Sequence, residues 1–182
     1  MESLEPWPPE ITSDDTLAAV ARLLRSFHDD QRATPVVCHN DVRPETVEVG
    51  AAGPVRLLPS PWAAPGARLW DVAGAAWRWV PLLCDWDTRQ LGFDPDFDHR
   101  RRRLRLLCDA YGVSATDRSQ LLDTIELRLE VADAIRLDGR FADVVGWETL
   151  RDERAGEGVQ RDRWFVAEFR DRFDPYLRSD GA

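Results

Sequence analysis

The chain has 182 residues, 43% of them hydrophobic, which suits one domain with a sizeable core. A formal net charge of −9 argues against nucleic acid or an anionic membrane as the main partner, and is compatible with simple solubility or a cationic ligand. No apolar run approaches membrane-spanning length, and the acidic start "MESLEPWPPE" is no signal peptide, so a cytoplasmic, bacterial protein is expected.

Residues 1–12 are proline-rich and lack periodicity, and read as an irregular lead-in. The stretch "SDDTLAAVARLLRSFHDD" predicts a helix. Ser13 suits the N-cap, Asp14 and Asp15 suit the positive end of the dipole, and Leu17, Val20, Ala21, Leu24 and Phe27 form one stripe. "TPVVCHND" reads as a short buried strand entering a loop. "ETVEV" and "PVRLL", separated by "GAAGP", read as a hairpin. Nothing else predicts a strand.

From Leu69 onward the pattern is helical. "LWDVAGAAWRWVPL" places Leu69, Val72, Ala73, Ala76 and Val80 on one face. "FDHRRRRLRLLCDAYG" groups Phe97, Arg101, Leu104, Leu107, Cys108 and Tyr111, and ends at Gly112, a suitable C-terminal cap. "TDRSQLLDTIELRLEVADAIRLDG" gives a third helix ending at Gly139. "FADVVGWETLRDE" and "VQRDRWFVAEFRDRFDPYL" follow as further helices, the last before a short tail at 179–182. The fold class is mostly α with a small β-hairpin (α+β). The arginines of 100–105 read as a solvated helix face whose stems cover apolar surface, in preference to a phosphate patch. Most of the tryptophans and phenylalanines read as core anchors.

Chemistry concentrates after the predicted strand. In a phosphotransferase loop of the form H-x-D-x-x-x-x-N, the aspartate takes a proton from the acceptor hydroxyl. An asparagine five residues on holds magnesium, and both must converge on one phosphate. Here His39, Asn40 and Asp41 fit the start of that pattern, and Thr46 stands at the asparagine position. All 24 basic residues are arginine, so no lysine is present to hold nucleotide phosphates.

The three cysteines, Cys38, Cys84 and Cys108, lack CxxC spacing and read as reduced, buried thiols. His28 and His99 have no Cys or His partner at ligand spacing, so neither is expected to bind metal.

In order along the chain, "AAVARLLRSFHDD", "VVCHNDVRPETVEV", "AAPGARLWDVAGAAWRWVPL" and "RRRRLRLLCDAYGV" resemble the C-terminal lobe of the aminoglycoside phosphotransferase and choline kinase family. The resemblance spans most of the chain and implies the helical C-lobe of a protein kinase-like fold over 13–178, with the N-lobe absent. It also implies an ATP- and magnesium-dependent transferase acting on a hydroxyl group. Asp41 takes the general-base position, with His39 and Asn40 supporting the loop. Asp71 matches a position that ties the loop to a helix start. The departures lie at the metal. Thr46 and Pro59 occupy the two metal-ligand positions, and Pro61 the next acidic one, so no metal residue and no bound cofactor is expected. Mg2+ and ATP enter only if the family activity survives. Glu45, Glu48 and Asp71 could compensate, but Glu45 and Glu48 read more simply as exposed hairpin residues and Asp71 as structural. Trp62 stands near the vacated site and, with Asp71, marks a candidate pocket.

Asp41 keeps two readings, a surviving base or a loop-stabilising acid. The leading functional expectation is a pseudokinase that binds a protein partner or a small ligand, with partner binding or self-association through the face an N-lobe would cover. The alternatives are a phosphotransferase completed by another chain, an acceptor-pocket catalyst using Asp41 as acid/base, and a truncated product without function.

Overall fold

The computed structural model describes residues 6–50, 53–137 and 153–178. Helix α1 (Pro9–Thr12) leads into α2 (Asp14–Asp29). Strand β1 (Val36–Cys38), a 3-10 turn over Pro44–Thr46, and strands β2 (Val47–Gly50), β3 (Gly53–Leu57) and β4 (Ala64–Gly66) follow. Helices α3 (Arg68–Trp79), α4 (Asp85–Gln90), α5 (Phe97–Tyr111), α6 (Ala115–Leu137) and α7 (Glu153–Arg178) complete the described chain. The chain is mostly helical with small antiparallel sheets, as the α+β expectation required.

Helix α2 begins where the sequence says it should. The Ser13 side chain accepts the N–H of Thr16 at 3.2 Å, satisfying one of the orphan donors of the first turn. Leu17, Val20, Ala21 and Leu24 are fully buried, and the stripe continues one turn further to His28 rather than ending on Phe27. Helix α5 is capped by Asp96, which accepts from His99 N at 2.8 Å, and closes on Gly112 at φ 80°, a left-handed turn that favours glycine.

Helices α2, α3, α5 and α6 share one core, in which Trp79, Leu82, Leu104, Leu107, Leu121 and Ile125 are inaccessible or nearly so. Each such side chain contributes about 1.5–3 kcal/mol of burial free energy. Helix α7 lies along α6 and reaches α5, where the Phe97 and Phe173 ring centroids are 4.6 Å apart.

Four expectations are corrected. The lead-in contains a helix, α1, because Pro9 is preorganised for a first turn. A fourth strand exists: "APG" at 64–66 pairs antiparallel with β1, Val36 opposite Gly66 and Cys38 opposite Ala64. Helix α4 was not anticipated. Its capping residue is Cys84, which carries no helix-start signal.

The fourth correction concerns the arginine run, which is a solvated face only in part, at Arg101, Arg102 and Arg105. Arg100 and Arg103 are buried to 0% and 1% exposure. Arg100 donates to Leu83 O at 2.9 Å, Asp85 at 2.9 Å and Thr88 at 3.1 Å. Arg103 donates to Thr12 O at 2.9 Å, Trp79 O at 2.8 Å and the Asp14 carboxylate.

Trp86 and Trp164 are exposed rather than core anchors. The segment "FADVVGWETLRDE", apart from its last residue, the Gly139 helix end and the 179–182 tail lie outside the described residues. Among the described residues, no helix is long and apolar enough to cross a membrane.

Candidate functional site

The loop His39–Asp41 leaves β1 and turns back over the start of α3. Asn40 adopts φ 64°, a left-handed conformation that asparagine tolerates better than most residues. The turn aims two successive backbone N–H groups at one carboxylate. Asp71, fully buried in the first turn of α3, accepts from His39 N at 2.6 Å and from Asn40 N at 2.7 Å.

Behind this pair runs a buried relay. His28 Nε2 lies 3.0 Å from Asp71 Oδ2, and His28 Nδ1 lies 2.8 Å from the Tyr111 hydroxyl. A carboxylate only accepts, so Nε2 carries the proton and Nδ1 receives the Tyr111 O–H. Every donor in the relay has one acceptor.

His39 is held in the same way. Its Nε2 donates to Leu58 O at 2.6 Å and its Nδ1 accepts from Asp41 N at 3.2 Å. Both ring nitrogens are thus occupied by backbone groups. Asn40 donates through Nδ2 to Trp62 O at 2.7 Å, and its carbonyl accepts from Arg128. The loop is thus fixed from α2, α3, α6 and the segment before β4.

Asp41 itself is half-buried. Its carboxylate meets Arg43, with Nε 3.0 Å from Oδ1, and Glu45 stands further out at 3.9 Å from the same nitrogen. Thr46 turns inward. Its hydroxyl donates to the Asp41 carbonyl and accepts from Arg43 N at 3.1 Å. Pro59 is exposed and carries no donor atom.

A magnesium ion placed as the resemblance implies would meet an inward-bonded hydroxyl and a pyrrolidine ring. Neither position presents a charged oxygen, so these residues do not fit the ion. Glu48 does not compensate, because it is exposed and paired with Arg56 across the hairpin.

Asp71 does not line a pocket, because it is fully buried and its oxygens are bonded. Trp62 is half-buried beside the loop. A cavity of about 300 Å³ opens elsewhere, among Arg25, Arg68, Tyr111 and Ser114, and includes neither Asp41 nor Trp62.

His28, Cys38 and Asp71 approach within 4.8 Å of one another, a proximity their sequence spacing does not reveal. In this structure their ligand atoms are engaged in hydrogen bonds. The Cys38 thiol donates to Ala67 O at 3.2 Å, and burial pushes its pKa up to about 12, against thiolate formation. The His28 and Asp71 donor atoms are already engaged in the relay.

Two site features were not read from the sequence: the His28–Asp71 link, and the hydrogen bond from Arg128 to the Asn40 carbonyl. The first had a signal, since His28 stands four residues beyond Leu24 on the buried stripe. No protein-family model, curated protein or solved structure matches this chain.

Proposed function

We propose that this chain is a kinase-like helical lobe of the aminoglycoside phosphotransferase and choline kinase type that no longer transfers phosphoryl groups and acts by binding. The observation that carries the reading is Thr46. At the position where the loop needs a metal ligand, its hydroxyl is bonded to the Asp41 carbonyl and serves the loop's own backbone. Pro59 removes the second ligand, and Arg43 engages the Asp41 carboxylate. Phosphoryl transfer depends on positioning and on neutralising charge at the phosphates, and loss of the metal cage removes both.

What persists is a rigid loop. Asp71, His28 and His39 fix it with buried hydrogen bonds, as a recognition surface requires. The ligand is a small molecule or a protein partner meeting the surface around Asp41.

ATP turnover in the presence of magnesium tests the reading. The expected rate equals that of the Asp41→Ala variant. Turnover that depends on Asp41 would return the chain to the phosphotransferases.

A further inference from the structure

Three side chains of ligand type converge beneath the loop from three separate elements. His28 ends the buried stripe of α2, Cys38 closes β1, and Asp71 stands in the first turn of α3. All three are exposed by 1% or less. Their ligand atoms lie within 4.8 Å of one another, and among the described residues this is the one such group of three.

The spacings suit a tetrahedral ion. Zinc sits about 2.0–2.2 Å from nitrogen and oxygen and about 2.3 Å from sulfur, so its ligand atoms stand roughly 3.3–3.6 Å from each other. His28 Nε2 and Asp71 Oδ2 are 3.0 Å apart, slightly closer than that. The sulfur has to close in, by about 1 Å at most, and rotation about its Cα–Cβ bond can supply this. Gly66 keeps a side chain out of its way, since a Cβ there would stand 3.0 Å from Sγ. The Ala67 carbonyl, 3.2 Å from the sulfur, offers a fourth donor.

The outer groups fit as well. A histidine that binds zinc is normally held through its other ring nitrogen, and His28 Nδ1 lies 2.8 Å from the Tyr111 hydroxyl. Asp71 is oriented by the N–H groups of His39 and Asn40, and both bonds can stay while a metal takes the place of the His28 proton on Oδ2. A thiolate and a carboxylate carry two negative charges against the ion's two positive ones, so the buried cluster is neutral. Mixed sulfur, nitrogen and oxygen donors favour zinc over magnesium or calcium, which take oxygen.

We propose that His28, Cys38 and Asp71 are the protein ligands of a buried zinc site, and that the hydrogen-bonded relay is its metal-free form. On binding, Cys38 releases its thiol proton to solvent, as a coordinating thiol does. The His28 proton moves from Nε2 to Nδ1, where the Tyr111 oxygen accepts it. Tyr111 lines the open cavity, where water can take its own O–H. The ion joins α2, β1 and α3 behind the loop. It is a structural centre, distinct from the magnesium of phosphoryl transfer.

The test is binding of cobalt(II) and zinc to the full chain, refolded with metal present because a closed site fills as the fold forms. We expect one cobalt per chain, with a sulfur-to-cobalt charge-transfer band that zinc abolishes by displacement. Saturating zinc should raise Tm by about 5 °C or more. Cys84→Ser and Cys108→Ser should keep the band, and Cys38→Ser and His28→Gln should lose it. X-ray absorption of the zinc-loaded wild type needs no variant, and should show one sulfur among nitrogen and oxygen neighbours. No cobalt band, a band that survives in a folded Cys38→Ser, or a zinc spectrum without sulfur would overturn the site.

Discussion

Asp71 and His39 stand 32 residues apart in sequence and are joined by a hydrogen bond of 2.6 Å between the Asp71 carboxylate and the His39 backbone N–H. The same carboxylate takes the N–H of Asn40 and faces His28. One buried side chain therefore sets the conformation of the whole loop. Asp71→Ala strands two buried N–H groups and an imidazole, and should cost about 3–5 kcal/mol. Asp71→Asn keeps an acceptor and should cost roughly half as much. Urea midpoints at constant m-value check both.

Asp162 predicts a pH dependence. Burial raises its pKa from 3.8 to about 6, against the opposing hydrogen bond from Trp77 and the nearby Arg78 charge. Its folded pKa exceeds its unfolded value, so the folded state binds the proton more tightly. Stability from this group is greatest below pH 3.8 and is lost as pH rises toward 6, by up to about 3 kcal/mol. Asp162→Asn removes the titration and keeps an acceptor for Trp77. The difference in stability between wild type and Asp162→Asn should therefore move against wild type between pH 4.5 and 7.5. Parallel pH profiles for the two proteins would refute the assignment.

Arg103 predicts a stability effect out of line with its place in a run of arginines. It ties α5 to Thr12, Asp14 and Trp79. Arg103→Ala leaves the buried Trp79 carbonyl without its donor and severs the ties to Thr12 and Asp14, and should lower Tm on the order of 10 °C. Arg102→Ala, at an exposed position of the same turn, should change Tm by about 1–2 °C at most. Thermal unfolding of the two variants reads the contrast directly.

The thiols should separate by burial. Cys38 and Cys108 are buried, and both are pushed up to about 12. Cys84 is half-buried and also raised, chiefly by burial. With a thiol reagent near neutral pH, Cys84 should react first. Cys38 and Cys108 should follow only at the rate of unfolding, which mass mapping of labelled peptides would show.

The sequence made the large helices and the hairpin legible because their signals are local. Ser13 caps, Gly112 stops, and apolar residues recur at helical spacing. The entry into the loop was legible because the apolar run "PVVC" announces the strand β1 that precedes it.

Other features had no local signal. Strand β4 is held by backbone pairing to β1, and "APG" contains no β-branched residue to announce it. Reading Arg101 onto the apolar face hid the true stripe of Arg100, Arg103, Leu104, Leu107, Cys108 and Tyr111. That stripe has helical spacing, but which arginines of the run belong to it is set by their acceptors on other segments.

The central claim is that the Asp41 loop is kept as a binding surface without a metal cage. Calorimetry of the purified chain with millimolar ATP, with and without magnesium, tests it most directly, with Asp41→Ala alongside. The account predicts no magnesium-dependent heat in either protein. Magnesium-dependent ATP binding that weakens in Asp41→Ala would contradict it, and would mean that another residue supplies the ligand absent at Thr46 and Pro59.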